Sequence, residues 1–128
     1  MTGRPAPDRY ERELREVRDR LRLALDAARM GVWDWDVATG RLAWEGRLEE
    51  IHGMRPGTFD GTLECFLGAV HPDDRDRARG EIEAALRRRA DDFFLEFRTL
   101  GHDGRIRWVT GEGRVVCDPG GRPVRMVG

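Results

Sequence analysis

The sequence has few cysteines, no long apolar run and no excess of charge of either sign. Cys65 and Cys117 are its only cysteines, and they lie far apart and in no CxxC pattern, so they predict reduced thiols and no metal or redox site. No window approaches the roughly 18 apolar residues that cross a bilayer, and the N-terminus lacks the apolar core of a signal peptide. We therefore expect no membrane segment in this chain and a cytoplasmic location.

The charged residues are numerous but balanced. Lysine is absent, and 23 arginines stand against 24 acidic residues, which gives a formal net charge of −1 at pH 7. The two signs are interspersed and no basic block stands out, which argues against a nucleic-acid partner. With 128 residues, the chain has room for one domain of about 100 residues and one appended element.

The first 30 residues predict a lead and a helix. Residues 1–7 contain two prolines and a glycine and predict a disordered lead, whereas residues 8–30 predict an amphipathic helix. The apolar residues of this helix follow the 3-4-3-4 spacing of a coiled-coil seam: Leu14, Val17, Leu21, Ala24 and Ala28. Because a short seam with two alanines makes a weak zipper, packing of the stripe against its own domain is an equal alternative.

Residues 31–46 predict a β-hairpin whose largest side chains share one face. In an alternating strand, Trp33 and Trp35 lie on one side and Asp34 lies on the other. Gly40 supplies the positive φ that a tight turn needs, and Trp44 resumes the alternation after it. The pattern predicts two half-buried antiparallel strands.

The middle of the chain predicts two short helices and a longer one. The first short helix ends at Gly53, and Thr62 caps the second. Residues 71–74, His-Pro-Asp-Asp, predict the start of the longest interior helix, which runs to about Arg89, because proline and acidic residues suit a first helical turn. The same residues lack a nucleophile or a phosphate loop beside them, so we expect capping here and no catalytic site.

The last third predicts three antiparallel strands. Phe93, Leu95 and Phe97 alternate along the first, and the sequences Asp-Gly at 103–104 and Asp-Pro-Gly-Gly at 118–121 predict the two turns that follow. Glu96 and Arg98 lie on the opposite face of this strand. We expect them to form cross-strand charged pairs with Arg107 on the neighbouring strand. The whole order predicts an α+β fold, a five-stranded antiparallel sheet with helices covering one face and an N-terminal helix beside it.

In this order the motifs resemble a PAS sensory domain of the third PAS fold group, the PAS/PAC type. The stretches that carry the resemblance are GVWDWDVATGRLAW, IHGM, VHPDD, FLEFR, HDGRIRWV and GGRP, spread over residues 28–128. The resemblance implies that residues 31–128 form the domain and stop before the connector to an output domain. It also implies a non-catalytic module of a bacterial signalling protein such as a histidine kinase, a diguanylate cyclase or a serine/threonine phosphatase.

The resemblance further implies a cavity between the sheet and the helices. The candidate wall residues are Trp33, Trp35, Trp44, Met54, Phe66, Leu67, Ile82, Leu86, Leu95, Phe97 and Trp108. Because a buried tryptophan takes about 150 to 250 Å² of surface, we expect a small or collapsed cavity that holds at most a small apolar ligand.

No cofactor is expected in that cavity. Flavin is disfavoured because Cys65 lies outside the cysteine motif of flavin photosensors, and haem is disfavoured because residues 73–90 contain no histidine. His52 and His71 are interpreted as local structural histidines. No metal site is expected.

Two functions are consistent with these features. The first is a sensor that relays small-ligand occupancy or partner contact to a covalently linked C-terminal output domain. The second is a ligand-free dimerisation or protein-interaction module. As a partner we also expect a second copy of the chain, in a homodimer through the N-terminal helix, the sheet or both. A ligand that raises the melting temperature would favour the first, and a dimer that is lost with the helix would favour the second.

Overall fold

A computed structural model describes Gly3 and residues 8–128. Apart from Gly3, the predicted disordered lead over residues 1–7 lies outside the described residues. The helices are α1 (Arg9–Ala28), α2 (Leu48–Ile51), α3 (Leu63–Ala69) and α4 (Arg75–Arg87), with a 3₁₀ turn at Pro72–Asp74. The strands are β1 (Gly31–Asp36), β2 (Leu42–Gly46), β3 (Phe93–Leu100), β4 (Ile106–Cys117) and β5 (Pro123–Val127).

The five strands form one antiparallel sheet in the order β2-β1-β5-β4-β3. The sheet therefore has β1, the first strand of the chain, hydrogen-bonded to β5, the last. Each helix that the structure describes is too short or too polar to cross a lipid bilayer. The predicted α+β architecture, with helices on one face of the sheet, is confirmed.

The β1–β2 hairpin puts its large side chains on the inner face of the sheet. Trp33 lies opposite Trp44, and Trp35 lies opposite Leu42. Directly opposed residues in an antiparallel pair project to the same side. The shared face that the alternation predicted is therefore present.

Helix α1 stands largely apart from the sheet. Asp8 caps it by accepting a hydrogen bond from the backbone N–H of Glu11 at 2.7 Å, and none of its residues is buried. Near its end, Asp26 pairs with Arg47 at 3.4 Å, close to where β2 ends. The helix is thus anchored at its C-terminal end, while the apolar stripe predicted along it is exposed.

The helix starts predicted in the middle of the chain are present with one difference. The hydroxyl of Thr62 accepts from the backbone N–H of Cys65 at 3.0 Å and caps α3. His71 Nδ1 accepts from the backbone N–H of Asp73 at 3.1 Å, but the turn that it caps is 3₁₀, and α4 begins only at Arg75. Asp74 makes no capping bond, because Arg98 holds its carboxylate.

The hydrophobic core lies between the inner face of the sheet and helices α3 and α4. The helices contribute Leu67, Ala78, Ile82 and Ala85, and the strands contribute Phe93, Leu95, Phe97, Val115 and Met126. Leu67 and Leu86, two of the predicted cavity residues, pack in or against this core. They are not in the wall of the cavity described below.

The predicted charged set on β3 and β4 is wrong because its arginines have other partners. Arg107 lies opposite Thr99, on the face away from Arg98, and binds Asp103 at 2.9 Å. Arg98 lies opposite Trp108 and binds Asp74. Successive residues of a strand point to opposite faces of the sheet. Arg107 is one residue away from Trp108, the register partner of Arg98, and therefore lies on the other face.

Candidate ligand cavity

A cavity of about 490 Å³ lies between the sheet and the helices. Its walls are mainly aromatic and aliphatic. The side chains that line it include Trp33, Trp35, Leu42, Trp44, Leu48, Ile51, His52, Leu63, Phe66, Ile82, Phe93, Leu95, Phe97, Val109 and Met126. Ligand pockets of about 300 to 1,000 Å³ are typical of small-molecule sites, so this one has room for a ligand.

The prediction of a small or collapsed cavity is wrong because the tryptophans form its walls instead of filling it. Trp33 packs edge-on against Phe93, with ring centroids 6.2 Å apart and planes at 84°. Its indole lies against the backbone of β4 at Gly113, where a built Cβ would come within 2.9 Å of Trp33 Cζ2. Because Gly113 has no side chain, the indole can lie close to the sheet and leave the space beyond it open.

A stack of rings closes another side of the cavity. Trp44 lies face to face with Phe59, with centroids 3.7 Å apart, and with His52 at 4.8 Å. His52 also stacks on Phe97, with ring centroids 5.8 Å apart, and Phe66 meets His52 edge-on at 5.6 Å. These contacts join β2, α2, α3 and β3 through one continuous aromatic cluster.

The structure brings most of the predicted wall residues together. Those that line the cavity with buried or half-buried side chains are Trp33, Trp35, Trp44, Phe66, Ile82, Leu95 and Phe97. Met54 does not, because it lies beside a separate hollow with Cys65 and His102. Both Cys65 and Cys117 are free thiols.

The prediction that the side chain of Trp108 forms part of the cavity wall is wrong. The residue borders the cavity, but it is 67% exposed and its register partner is Arg98. The guanidinium of Arg98 lies 5.8 Å from the centre of its ring. The indole therefore belongs to the outer face of the sheet, while Val109, the next residue, faces Phe97 on the inner side.

Sequence reasoning missed several wall residues. Phe93 and Met126 continue the alternation of the inner face, so the period of two could have identified them. Leu42 likewise lies opposite Trp35. His52 had no comparable signal, because its place depends on how α2 packs against the sheet.

His52 is the wall residue with the most distinctive chemistry. It is 4% exposed, and its Nδ1 lies 2.7 Å from the backbone carbonyl of Leu48. Burial lowers the pKa of His52 below its ordinary value, and the hydrogen bond to Leu48 offsets only part of this effect. The ring is therefore neutral near pH 7.

Polar groups are otherwise sparse in the wall. Arg29, Thr110 and Glu112 border it, and all three are exposed. Trp35 Nε1 is buried and has no hydrogen-bond partner within the part of the chain that the structure describes. Over the same residues, no three His, Cys, Asp or Glu side chains are grouped as metal ligands would be. Such a lining suits an uncharged, mainly apolar molecule.

Comparison with known proteins identifies the family. The family model PAS_3, whose description is the PAS fold, matches residues 41–128. The chain belongs to the PAS fold family. The sequence motifs resemble a PAS domain, and the family match confirms that prediction. Its family and relatives make it a sensory signalling module.

The relatives of this PAS domain are signalling proteins. It is 29% identical over 120 residues to the probable diguanylate cyclase DgcE of Escherichia coli, and 26% identical over 116 residues to the sensor protein FixL of Bradyrhizobium diazoefficiens. These matches cover 94% and 86% of the chain but only 11% and 21% of the relatives. The chain thus corresponds to a small part of each.

A solved structure gives the same result. The sensory box histidine kinase/response regulator of Burkholderia thailandensis is 30% identical to this PAS domain, with a TM-score of 0.66. The match covers 84% of this chain and 79% of that structure's chain. Similarity in both sequence and fold therefore extends over most of the domain.

Proposed function

We propose that this PAS domain senses a small, mainly apolar ligand and passes its occupancy to an output domain in the same polypeptide. The observation that carries the proposal is the cavity of about 490 Å³ with a mainly aromatic and aliphatic wall. We take residues 31–128 as the sensory unit, which begins with β1 and contains the family match. Related histidine kinases and diguanylate cyclases supply the classes of output domain.

The backbone pairing offers a route from the cavity to the end of the sheet. The backbone N–H of Trp33 donates to the Gly128 carbonyl at 2.8 Å, and the Gly128 N–H donates to the Trp33 carbonyl at 3.0 Å. Two residues further along β1, Trp35 faces Met126 across the same strands, and both line the cavity. A ligand that moves either indole therefore acts on β5 and on whatever follows it.

The signal in this proposal is a shift between two arrangements of the domain. A ligand changes their populations only by binding one more tightly than the other. The conformation selected by the ligand would be the one in which β1 and β5 hold the indoles away from the cavity centre. The output domain then reads the position of the residues after β5.

A variant that fills the cavity tests this proposal. Gly111 lines the cavity from β4, and a Cβ built on it meets no atom closer than Leu95 O at 4.0 Å. Gly111→Leu should therefore project into the cavity without displacing the backbone. Gly80→Ala on α4, where a built Cβ meets nothing within 4 Å, is the control.

The measurement is thermal unfolding with a panel of small aromatic molecules, together with mass spectrometry of small molecules that copurify. A ligand at 100 times its Kd stabilises the folded state by about 2.7 kcal/mol. We expect this gain in the wild type and in Gly80→Ala, and its loss in Gly111→Leu. If no copurified or added molecule raises the wild-type melting temperature, the proposal is wrong.

We also propose a homodimer through α1, because the predicted seam is exposed. Leu14, Val17 and Leu21 are 51%, 62% and 47% exposed, and Ala24 and Ala28 are exposed as well. Three aliphatic side chains at coiled-coil spacing in a helix of 20 residues suit the same stripe of a second copy. Exposed apolar residues on the outer face of β3 and β4, Phe94, Ile106 and Trp108, offer that copy a second surface.

Light scattering tests the dimer. Changing Leu14, Val17 and Leu21 together to Glu puts like charges along the seam and should halve the measured mass. Leu23→Glu is the matched control, because Leu23 is 68% exposed on the same helix but lies off the seam. An unchanged mass in the triple variant would show that α1 is not the dimer contact.

A further inference from the structure

The protonation of His52 follows from its hydrogen bond. The carbonyl of Leu48 can only accept, so Nδ1 of His52, 2.7 Å away, carries the proton. Burial lowers the pKa of His52, so the ring stays neutral. In a neutral imidazole with a protonated Nδ1, the other nitrogen, Nε2, is a bare acceptor.

Neighbouring rings hold this imidazole in one orientation. Trp44 and Phe97 both stack against it, with interplanar angles of 18° and 21°. The side chain also folds back on its own helix, since Leu48 O accepts from both the backbone N–H and Nδ1 of His52. The ring therefore cannot turn to satisfy Nε2 without losing its bond to Leu48.

Nε2 has no hydrogen-bond partner among the described residues, and His52 lines the cavity. An acceptor left unpaired by a wholly apolar ligand costs free energy, whereas a donor on the ligand recovers it. Anions are disfavoured by the same lone pair and by the apolar wall. The aromatic stack around His52 favours a flat ligand.

We propose that the ligand of this cavity is an uncharged aromatic molecule that donates one O–H or N–H to Nε2 of His52. The inference rests on the proposed ligand cavity and names the chemical class that it selects. His52 sets specificity, and the tryptophan and phenylalanine side chains supply most of the apolar contact area.

Two probes with the same ring system distinguish the role of His52 from the binding of a ligand in the cavity. 1-Naphthol carries a hydroxyl donor, and 1-methylnaphthalene has a methyl group of similar size in its place. A hydrogen bond contributes about 0.5 to 1.5 kcal/mol net, so the wild type should bind the naphthol about two- to twelvefold more tightly in calorimetry. His52→Phe keeps an aromatic ring but removes the acceptor. It should lose the preference for 1-naphthol and keep the affinity for 1-methylnaphthalene.

A spectroscopic readout keeps the test decisive if His52→Phe does not fold. In the wild type, the ¹⁵N resonance of His52 Nε2 should move on addition of 1-naphthol and stay in place with 1-methylnaphthalene. Equal binding of both probes by the wild type, with no change at Nε2, overturns the role of His52 and leaves the ligand cavity standing. If neither probe binds the wild type, this inference fails. Thermal unfolding with the wider panel of molecules then tests separately whether the cavity binds any ligand.

Discussion

Asp74, at the end of the 3₁₀ turn, accepts three hydrogen bonds from Arg98 on β3. The backbone N–H and Nε of Arg98 donate to Oδ2 at 2.8 and 3.1 Å, and Nη2 donates to Oδ1 at 2.7 Å. The pair joins the start of α4 to the sheet across 24 residues of sequence. It also links the VHPDD and FLEFR motifs, two of the stretches that resembled the PAS family.

Loss of this pair should destabilise the domain. Asp74→Ala leaves Arg98 and its backbone N–H without their acceptor, so we expect a lower melting temperature. Asp73→Ala is the matched control, since that side chain is 78% exposed and lies one residue away. Thermal unfolding by circular dichroism compares the two. Equal melting temperatures would contradict the structural role of Asp74.

The same pair should weaken in acid. The hydrogen bonds from the Arg98 side chain and backbone hold the pKa of Asp74 well below its ordinary value near 3.8. A carboxylate with a lowered pKa stabilises the fold above the unfolded-state pKa, and this contribution disappears as the pH falls towards the folded-state pKa. The stability difference between the wild type and Asp74→Asn should be constant above about pH 5 and shrink below it. Urea unfolding between pH 7 and pH 3 measures it, and a pH-independent difference would refute this account.

Two glycines on β4 should respond differently to alanine. At Gly113, a Cβ would press on the Val127 carbonyl and come within 2.9 Å of Trp33 Cζ2, so overpacking should destabilise Gly113→Ala by about 1 to 3 kcal/mol. At Gly111, the nearest atom is 4.0 Å away. Gly111→Ala should change the stability by less than about 1 kcal/mol. Urea unfolding of both variants tests this, and equal effects would show that Trp33 does not lie against Gly113.

Burial of neutral His52 should make the stability depend on pH near neutrality. Because burial lowers its folded-state pKa, the unfolded chain takes up a proton as the pH falls below about 6.5 and the folded chain does not. The wild type should therefore lose up to about 1.4 kcal/mol per pH unit between that value and the folded-state pKa. His52→Phe should lose this part of the dependence. Parallel urea curves from pH 8 to pH 5 provide the measurement, and identical pH profiles would rule out a buried neutral ring.

The residues whose structure could be predicted are those governed by near neighbours in sequence. Trp33 and Trp35 share a face because a strand has a period of two, and Thr62 caps α3 because its hydroxyl reaches an N–H three residues on. The residues that form α1 likewise follow from the amphipathic pattern and from the capping residue Asp8. These features depend on backbone geometry over a few residues, so the chain specifies them wherever the elements pack.

The partners of charged residues could not be predicted in this way. The predicted partner of Arg98 is wrong, because alternation shows which face a side chain occupies but not which helix end lies against it. For the same reason, the sequence predicts a capping role for Asp74 that the structure does not show. Its partner is on β3, and only the packing of α4 against the sheet brings the two together.

The sequence by itself determined the elements, the inner face of the sheet and the family, since all three depend on local periodicity and motif order. The tertiary structure alone decided that the cavity is open and that His52 lines it. An open space is the difference between the volume enclosed by the packed elements and the volume of the side chains inside. That difference depends on where Trp33 rests against Gly113 and on how α2 orients His52, and no local pattern encodes either.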